Sequence, residues 1–370
     1  MNEDKSRRYH RLRRRTVILS AALVAGWLAF LLASGTSVWL RDLAVVLVGR
    51  GAAHPATVAT YVVILVLLHD LLTLPLAWYR GFVLEHRYGL SSETLRAWTA
   101  DHLKAAGVSL LFALIGAEIV YATLVSWPRT WWLSSASLFI AGIAILARVA
   151  PVLLMPIFYS LRPLDRETLR ERLVTLSGRA GVPVLGVYEW GLGEKTRRAN
   201  AALVGTGGTR RVLLSDTLLA EYSDDEIEVI LAHELGHHAH GDIAKSLAVE
   251  AALILVGFAL AALMLARLWD DIGLISPADV AGLPLLVLIA GALSLVSAPL
   301  LNALSRRNER RADWYALTMT RRPAAFVSAM KRLAAQNLAE PSPSRTAVWL
   351  FHTHPPVEQR LEAARLTIED

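Results

Sequence analysis

The chain contains no cysteine. Disulfides and cysteine-ligated metal sites are therefore excluded, and cysteine usage says nothing about the redox compartment. Charge is scarce as well: only 19% of the 370 residues are Asp, Glu, Lys or Arg, against 54% hydrophobic. With a mean hydropathy of +0.42, that balance is of a membrane protein, not of two soluble domains. Internal repeats and low-complexity segments are missing too. The net charge of +6 does not point to nucleic acid, because the basic residues flank apolar runs. There they set orientation and meet anionic lipid headgroups.

Long apolar runs are what the chain has in quantity. Residues 1–16 are strongly basic and lead into an apolar stretch from Val17 to about Ala33, a layout shared with signal peptides. The stretch is long enough to span, and no small-residue cleavage site is evident near Ser34-Gly35, so a retained anchor with a cytoplasmic N-terminus is expected. Further spans are expected at about 58–79, 104–126, 131–158, 244–267 and 283–304. Six crossings put 80–103, 159–243 and 305–370 in the cytoplasm, and those segments hold most of the remaining Lys and Arg. The loop between spans five and six instead carries Asp270, Asp271 and Asp279. The short apolar piece Leu43–Val48 cannot cross and is read as interfacial. His69, Asp70, Glu118, Arg148 and Glu250 fall inside spans, where such residues face a hydrated interior or one another. Similar depth suggests pairing Arg148 with Glu250.

The chemistry centres on His233-Glu234-Leu235-Gly236-His237. Residues four apart share a helix face, so His233 and His237 can present two imidazole nitrogens to one metal ion. Glu234 stands beside them, placed to take a proton from water at that ion. Ser223 with Glu226 reads as a capping box, and Asp224 and Asp225 suit the positive end of a helix. A chance HExxH would lack a third ligand. The HExxHxxGxxH extension fails, since position 240 is His and position 243 is Ile. A Glu on a later helix is available at Glu309, with Asp313 one turn on to hydrogen-bond the outer nitrogen of a ligating His. His238 and His240 turn away from the ligand face and are read as interfacial or solvated. Asp224, Asp225, Glu226 and Glu228 make this helix too charged for the bilayer centre, which argues against an intramembrane-cleaving site. A non-catalytic scaffold or transporter would want a fourth protein ligand in place of Glu234 and an open position.

Between the fourth and fifth spans, Asp165–Arg179 looks like an amphipathic helix ending at Gly181 and Pro183. Strand-like runs follow at Val184–Trp190, Asn200–Val204 and Arg211–Ser215, the last two joined by the glycine-rich turn 205–209. After the sixth span come a helix at about 323–339, a Pro/Ser loop at 341–344 and a last helix opened by 352–360. The expected fold is mostly α: a polytopic membrane bundle of about six spans with a small cytoplasmic α+β metalloprotease unit. Its parts are a four-span membrane domain (1–160), a catalytic segment (161–243), a membrane hairpin (244–304) and a third-ligand segment (305–370).

Taken together, these residues resemble the integral-membrane zinc proteases of the type 1 CAAX prenyl protease family, of the gluzincin clan. The resemblance is carried by 156–164, Arg198-Ala-Asn200-Ala201, 213–219, the HELGH run, 305–309 through Asp313, and His354-Pro-Pro with Arg360. It implies one zinc ion per chain held by His233, His237 and Glu309, with Glu234 as general base. It further implies that His354, with Arg360 behind it, stabilises the oxyanion, and that an edge strand at Asn200 and Ala201 binds an extended peptide. The partners it implies are a peptide or protein substrate, lipidated in the family, and membrane lipids, without nucleic acid. Family members have seven spans around a large chamber, and six are counted here. The four-span leader argues against the smaller heat-shock-type proteases of the same clan, though not against their quality-control role. A composition rich in Ala, Leu and Arg suits a bacterial cell membrane, with the active site on its cytoplasmic side.

Overall fold

The computed structural model describes residues 3–49, 51, 53–205 and 207–369. Residues 1–2 of the basic leader, Arg50 and Ala52 of the first linker, Thr206 of the glycine turn and Asp370 lie outside the described residues. The membrane part opens with α1 (Glu3–Ala33) and α2 (Thr36–Val48), followed by α3 (His54–Trp78). A π turn at Tyr79–Val83 carries α3 into α4 (Leu84–Arg87), and α5 (Leu95–Ser126), α6 (Trp131–Leu153) and α7 (Met155–Phe158) follow. Two more long helices, α11 (Asp242–Leu268) and α12 (Leu283–Thr320), come later in the chain. Among the described residues six helices are long and apolar enough to cross a membrane.

The long helices pack in a ring, α1 to α3 through α2, then α5, α6, α11, α12 and back to α1. Only 11% of the most apolar stretch of α6 and 6% of that of α11 is buried. A helix in a solid bundle would bury a stripe about 100° wide. These two helices pack on their ring neighbours and little else. One end of the ring is closed by the turn between α11 and α12. There Ser37 Oγ donates to Ala281 O at 2.6 Å and lies 2.6 Å from Tyr61 Oη, Tyr121 donates to Val280 O, and Arg41 pairs with Asp279.

Several local expectations shift. α6 stops at Leu153, not 158: Pro156 has no N–H with which to continue the helical ladder, and the chain restarts as α7. The segment around Leu43–Val48 belongs to α2, which begins at Thr36 and buries Ser37, Leu40 and Ala44. Asp70 meets His102 Nε2 at 3.1 Å. Arg148 and Glu250 form no ion pair: α6 and α11 do pack together, but both side chains are exposed. Equal depth does not fix which way a side chain points around its helix.

The segment between α7 and α11 adds β1 (Leu161–Pro163), α8 (Glu167–Arg179), β2 (Gly186–Trp190), β3 (Ala201–Val204) and β4 (Arg211–Ser215). Then come α9 (Asp216–Glu221) and α10 (Asp224–Ala239). The strand β1 was not anticipated, and β2 starts two residues later than expected. The sheet runs β1-β2-β4-β3, with β2 and β4 parallel and the outer pairs antiparallel. β3 is therefore an edge strand. One apolar cluster joins Leu169, Leu173 and Leu176 of α8, Val212 and Leu214 of β4, Ile227 and Leu231 of α10 and Phe326. It seats α10 against the sheet. The chain closes with α13 (Pro323–Gln336), α14 (Arg345–Phe351) and α15 (Val357–Glu369).

Candidate metal centre

α10 begins as its sequence dictates. Ser223 Oγ accepts from the Glu226 amide at 3.3 Å, and the Glu226 carboxylate accepts from the Ser223 amide at 2.8 Å, closing the capping box. The helix ends at Gly241, whose positive φ of 66° suits glycine and turns the chain directly into α11. Gly236 permits the decisive packing. A Cβ there would sit 3.0 Å from Ala312 Cα, so glycine lets α10 and α12 approach backbone to backbone.

That approach brings His233, His237 and Glu309 together, with ligand atoms all within 4.8 Å of one another. His233 Nε2 lies 3.4 Å from Glu309 Oε2, and His237 Nε2 lies 3.4 Å from Glu309 Oε1. Both Nδ1 atoms are engaged on the far side, His233 with Asp313 at 2.9 Å and His237 with Asp242 at 3.0 Å. Each imidazole is thus held with Nε2 facing the same point, the arrangement of metal-ligating histidines. The two carboxylates are themselves paired. Arg360 forks onto Asp313 at 2.5 and 2.8 Å, and Arg311 reaches Asp242 at 3.2 Å. Arg360, expected behind His354, thus stands behind Asp313 and His233.

Glu309 Oε2 is buried and receives no hydrogen bond, although His354 Nδ1 comes within 2.7 Å of it. A buried carboxylate oxygen without a donor, opposite two oriented imidazoles, fits a cation. The donor set of two nitrogens and one carboxylate suits a divalent metal with a position left open. Burial alone would lower the pKa of His233, but the Asp313 and Glu309 carboxylates beside it outweigh burial and raise it to about 9. In the metal-free protein a proton therefore competes for this site. Burial pushes the Glu234 carboxyl up, opposed by the neighbouring histidines.

The remaining expected residues surround this centre. His354 is exposed, with 62% of its side chain accessible. Asn200 stands just before β3, its amide donating to Ser215 Oγ and its carbonyl accepting from the Ser215 amide, both at 2.9 Å. Since Asn200 bonds toward β4, strand alternation turns the amide and carbonyl of Ala201 to the free edge. Leu203 faces the same way, and His238 Nε2 contacts its carbonyl at 3.3 Å. His238 is therefore tied to the edge strand and not solvated. His240 is half-buried, with Nδ1 2.7 Å from Gly236 O. Asp242 and Arg311 were missed from sequence. The available signal was an acid one residue past the glycine that ends the HExxH helix.

Fold and site together define a membrane-embedded metallopeptidase. Residues 163–368 match the model of peptidase family M48, and the chain belongs to that family. Residues 2–160 match the CAAX prenyl protease N-terminal region, described as five membrane helices. Here that region has four long helices and the 13-residue α2. Similar proteins include the uncharacterized metalloprotease YhfN of Bacillus subtilis, 29% identical over 308 residues, or 82% of this chain and 72% of that one. CAAX prenyl protease 1 of Saccharomyces cerevisiae is 34% identical over 174 residues, 46% of this chain but only 38% of that protein. The crystal structure of S. mikatae Ste24p shares the fold, with a TM-score of 0.88 at 22% identity, covering 98% of this chain and 88% of that one.

Proposed function

We propose that the chain is a zinc-dependent endopeptidase working at the cytoplasmic surface of a bacterial membrane, where it trims the C-terminal ends of lipidated or otherwise membrane-associated peptides. The observation that carries this reading is the convergence of His233, His237 and Glu309 beside Glu234, on a helix packed against the free edge of β3. Helix length supports the surface location. Counted from Leu283, Glu309 lies about 39 Å along α12 at ~1.5 Å per residue. That exceeds a hydrocarbon core of about 30 Å. The basic start of α1 and the basic segments beside the spans favour the cytoplasmic side.

Zinc at the three ligands, when bound, would acidify a water and polarise the scissile carbonyl. The peptide lies along β3, exchanging main-chain hydrogen bonds with Ala201, as an added strand does. Asn200 borders that edge and offers its exposed side chain. Glu234 takes the proton of the attacking water and later passes it to the leaving amine. Its partly desolvated carboxylate is the more basic for being buried. His354 donates to the oxyanion from the open side of the site. Asp313 and Asp242, neutralised by Arg360 and Arg311, keep both imidazoles turned inward.

The test is cleavage of one quenched fluorescent peptide, prenylated and unprenylated, by purified protein with and without chelator. Chelator-sensitive cleavage that needs Glu234 and prefers the lipidated peptide supports the proposal. Cleavage indifferent to the lipid shifts the role to quality control of membrane proteins. No cleavage of either, with zinc bound stoichiometrically, turns the reading to a non-catalytic scaffold or transporter.

A further inference from the structure

His354 reaches the metal centre on a segment that contributes little to its own placement. α14 has seven residues, too few to hold a helix by itself. Its position comes from α12. Asn302 Nδ2 donates to Leu350 O at 2.8 Å, and Arg306 Nη1 donates to Val348 O at 2.9 Å and to His352 O at 2.7 Å. These carbonyls belong to the last turn of α14 and the residue after it, where a helix runs out of its own donors and where a cation is favoured. No carboxylate pairs with Arg306 among the described residues, so its guanidinium is held by carbonyl groups alone.

Asn302, Arg306, Glu309 and Asp313 follow at intervals of four, three and four, which places them on one stripe of α12. We infer that Asn302 and Arg306 are positioning residues that register His354 against Glu309 through the backbone of α14. One rigid helix then sets the height of the carboxylate ligand, the partner of His233 and the oxyanion donor together. The connection that leads into α14 is fixed separately: Ser6 Oγ donates to Ala339 O at 2.8 Å, and Arg14 pairs with Glu340 at 2.6 Å. The latch at α12 is the part nearest His354. This inference rests on the proposed role of His354.

The experiment uses the full-length protein in detergent, with Arg306→Ala, Asn302→Leu, His354→Ala and the Arg306→Ala/His354→Ala pair. Arg306→Gln, which keeps one donor, serves if the alanine variant fails to fold. Cleavage kinetics, metal content and hydrogen exchange of the metal-free protein are measured for each. Misplacing a catalytic group by about 1 Å can cost about 10²-fold, so Arg306→Ala is expected to lower kcat by at least about tenfold with KM and metal content unchanged. Amides of 348–354 exchange faster, while those of α10 do not. The paired variant is no slower than His354→Ala alone, because both changes remove one function. Multiplying losses, unchanged exchange at 348–354, or normal kcat in Arg306→Ala while His354→Ala is impaired overturns the latch and leaves the role of His354 standing. Full activity in His354→Ala overturns that role, and the latch with it.

Discussion

A single methyl group at Gly236 is expected to weaken this protein's metal affinity. The Cβ of Gly236→Ala would lie 3.0 Å from Ala312 Cα and 3.2 Å from Tyr315 Cβ. Carbon atoms pack best at about 3.5–4.0 Å, so α10 and α12 must separate by roughly 0.5–1 Å. Ala312 Cα is helix backbone and cannot rotate aside. Gly236 precedes His237 directly, and Ala312 sits three residues from Glu309, so the separation falls on the ligand set. Metal–ligand distances tolerate only about ±0.2 Å.

Two effects of opposite sign compete in this substitution. Exchanging a helical glycine for alanine favours the helix by about 0.5–1 kcal/mol. Overpacking a close contact costs about 1–3 kcal/mol. The strain is relieved when the helices part, which the metal-bound form resists most, so the net loss appears in binding. At the middle of both ranges the net is about 1.2 kcal/mol, which corresponds to roughly eightfold weaker affinity. Competition against a chromophoric chelator measures the affinity, and thermal melts with and without metal separate binding from folding. Unchanged affinity together with a higher Tm would refute the reasoning, because it would mean that only helix propensity was altered.

Four further expectations follow from the same geometry. Glu234→Gln is expected to lower kcat by about 10²–10⁴-fold with metal still stoichiometric; near-normal turnover would remove Glu234 from the proton transfers. Asp242→Asn frees the outer nitrogen of His237 and is expected to weaken metal binding by about 10–100-fold while the fold survives, as read by titration and circular dichroism. Ala201→Pro deletes an amide that faces the free edge of β3 and not β4, so KM for an extended peptide is expected to rise with metal content unchanged; an unaltered KM would take the peptide off that edge. Metal must displace the proton that His233 holds up to about pH 9 in the metal-free protein, so apparent affinity is expected to rise with pH and level off above about 9. A pH-independent affinity below that value would contradict it.

The parts of the site visible in sequence were those that helical counting reaches. His233, His237 and Glu234 follow from spacing on one helix, and Glu309 with Asp313 from spacing on another. Asp242 escaped because it lies beyond Gly241, where the chain reverses into a left-handed residue and the helical count stops. Arg311 escaped because its partner did. The same limit explains the unpaired Arg148 and Glu250. Hydropathy gives depth along a span, but the angle around the helix is set by which neighbours it packs on. β1 and α14 are three and seven residues long, too short for a periodic signal.

Spacing along the chain picks out the candidate ligands, yet a larger feature of the fold makes them meet. The HExxH helix hands over to α11 five residues past His237, through Gly241. α12 returns alongside α11 and carries Glu309 past the point where α11 began. The hairpin is thus the arm that returns Glu309 to the two histidines, and its two helices pack on each other. A metal site at the base of such a hairpin inherits the rigidity of two long helices. Its fine geometry is left to three short-range devices: the bare Cα of Gly236, and the carboxylates Asp313 and Asp242, each neutralised by an arginine. The expected sensitivity to Gly236→Ala and Asp242→Asn follows from this division, since the hairpin carries the ligands to the site but cannot correct an error of half an ångström between them.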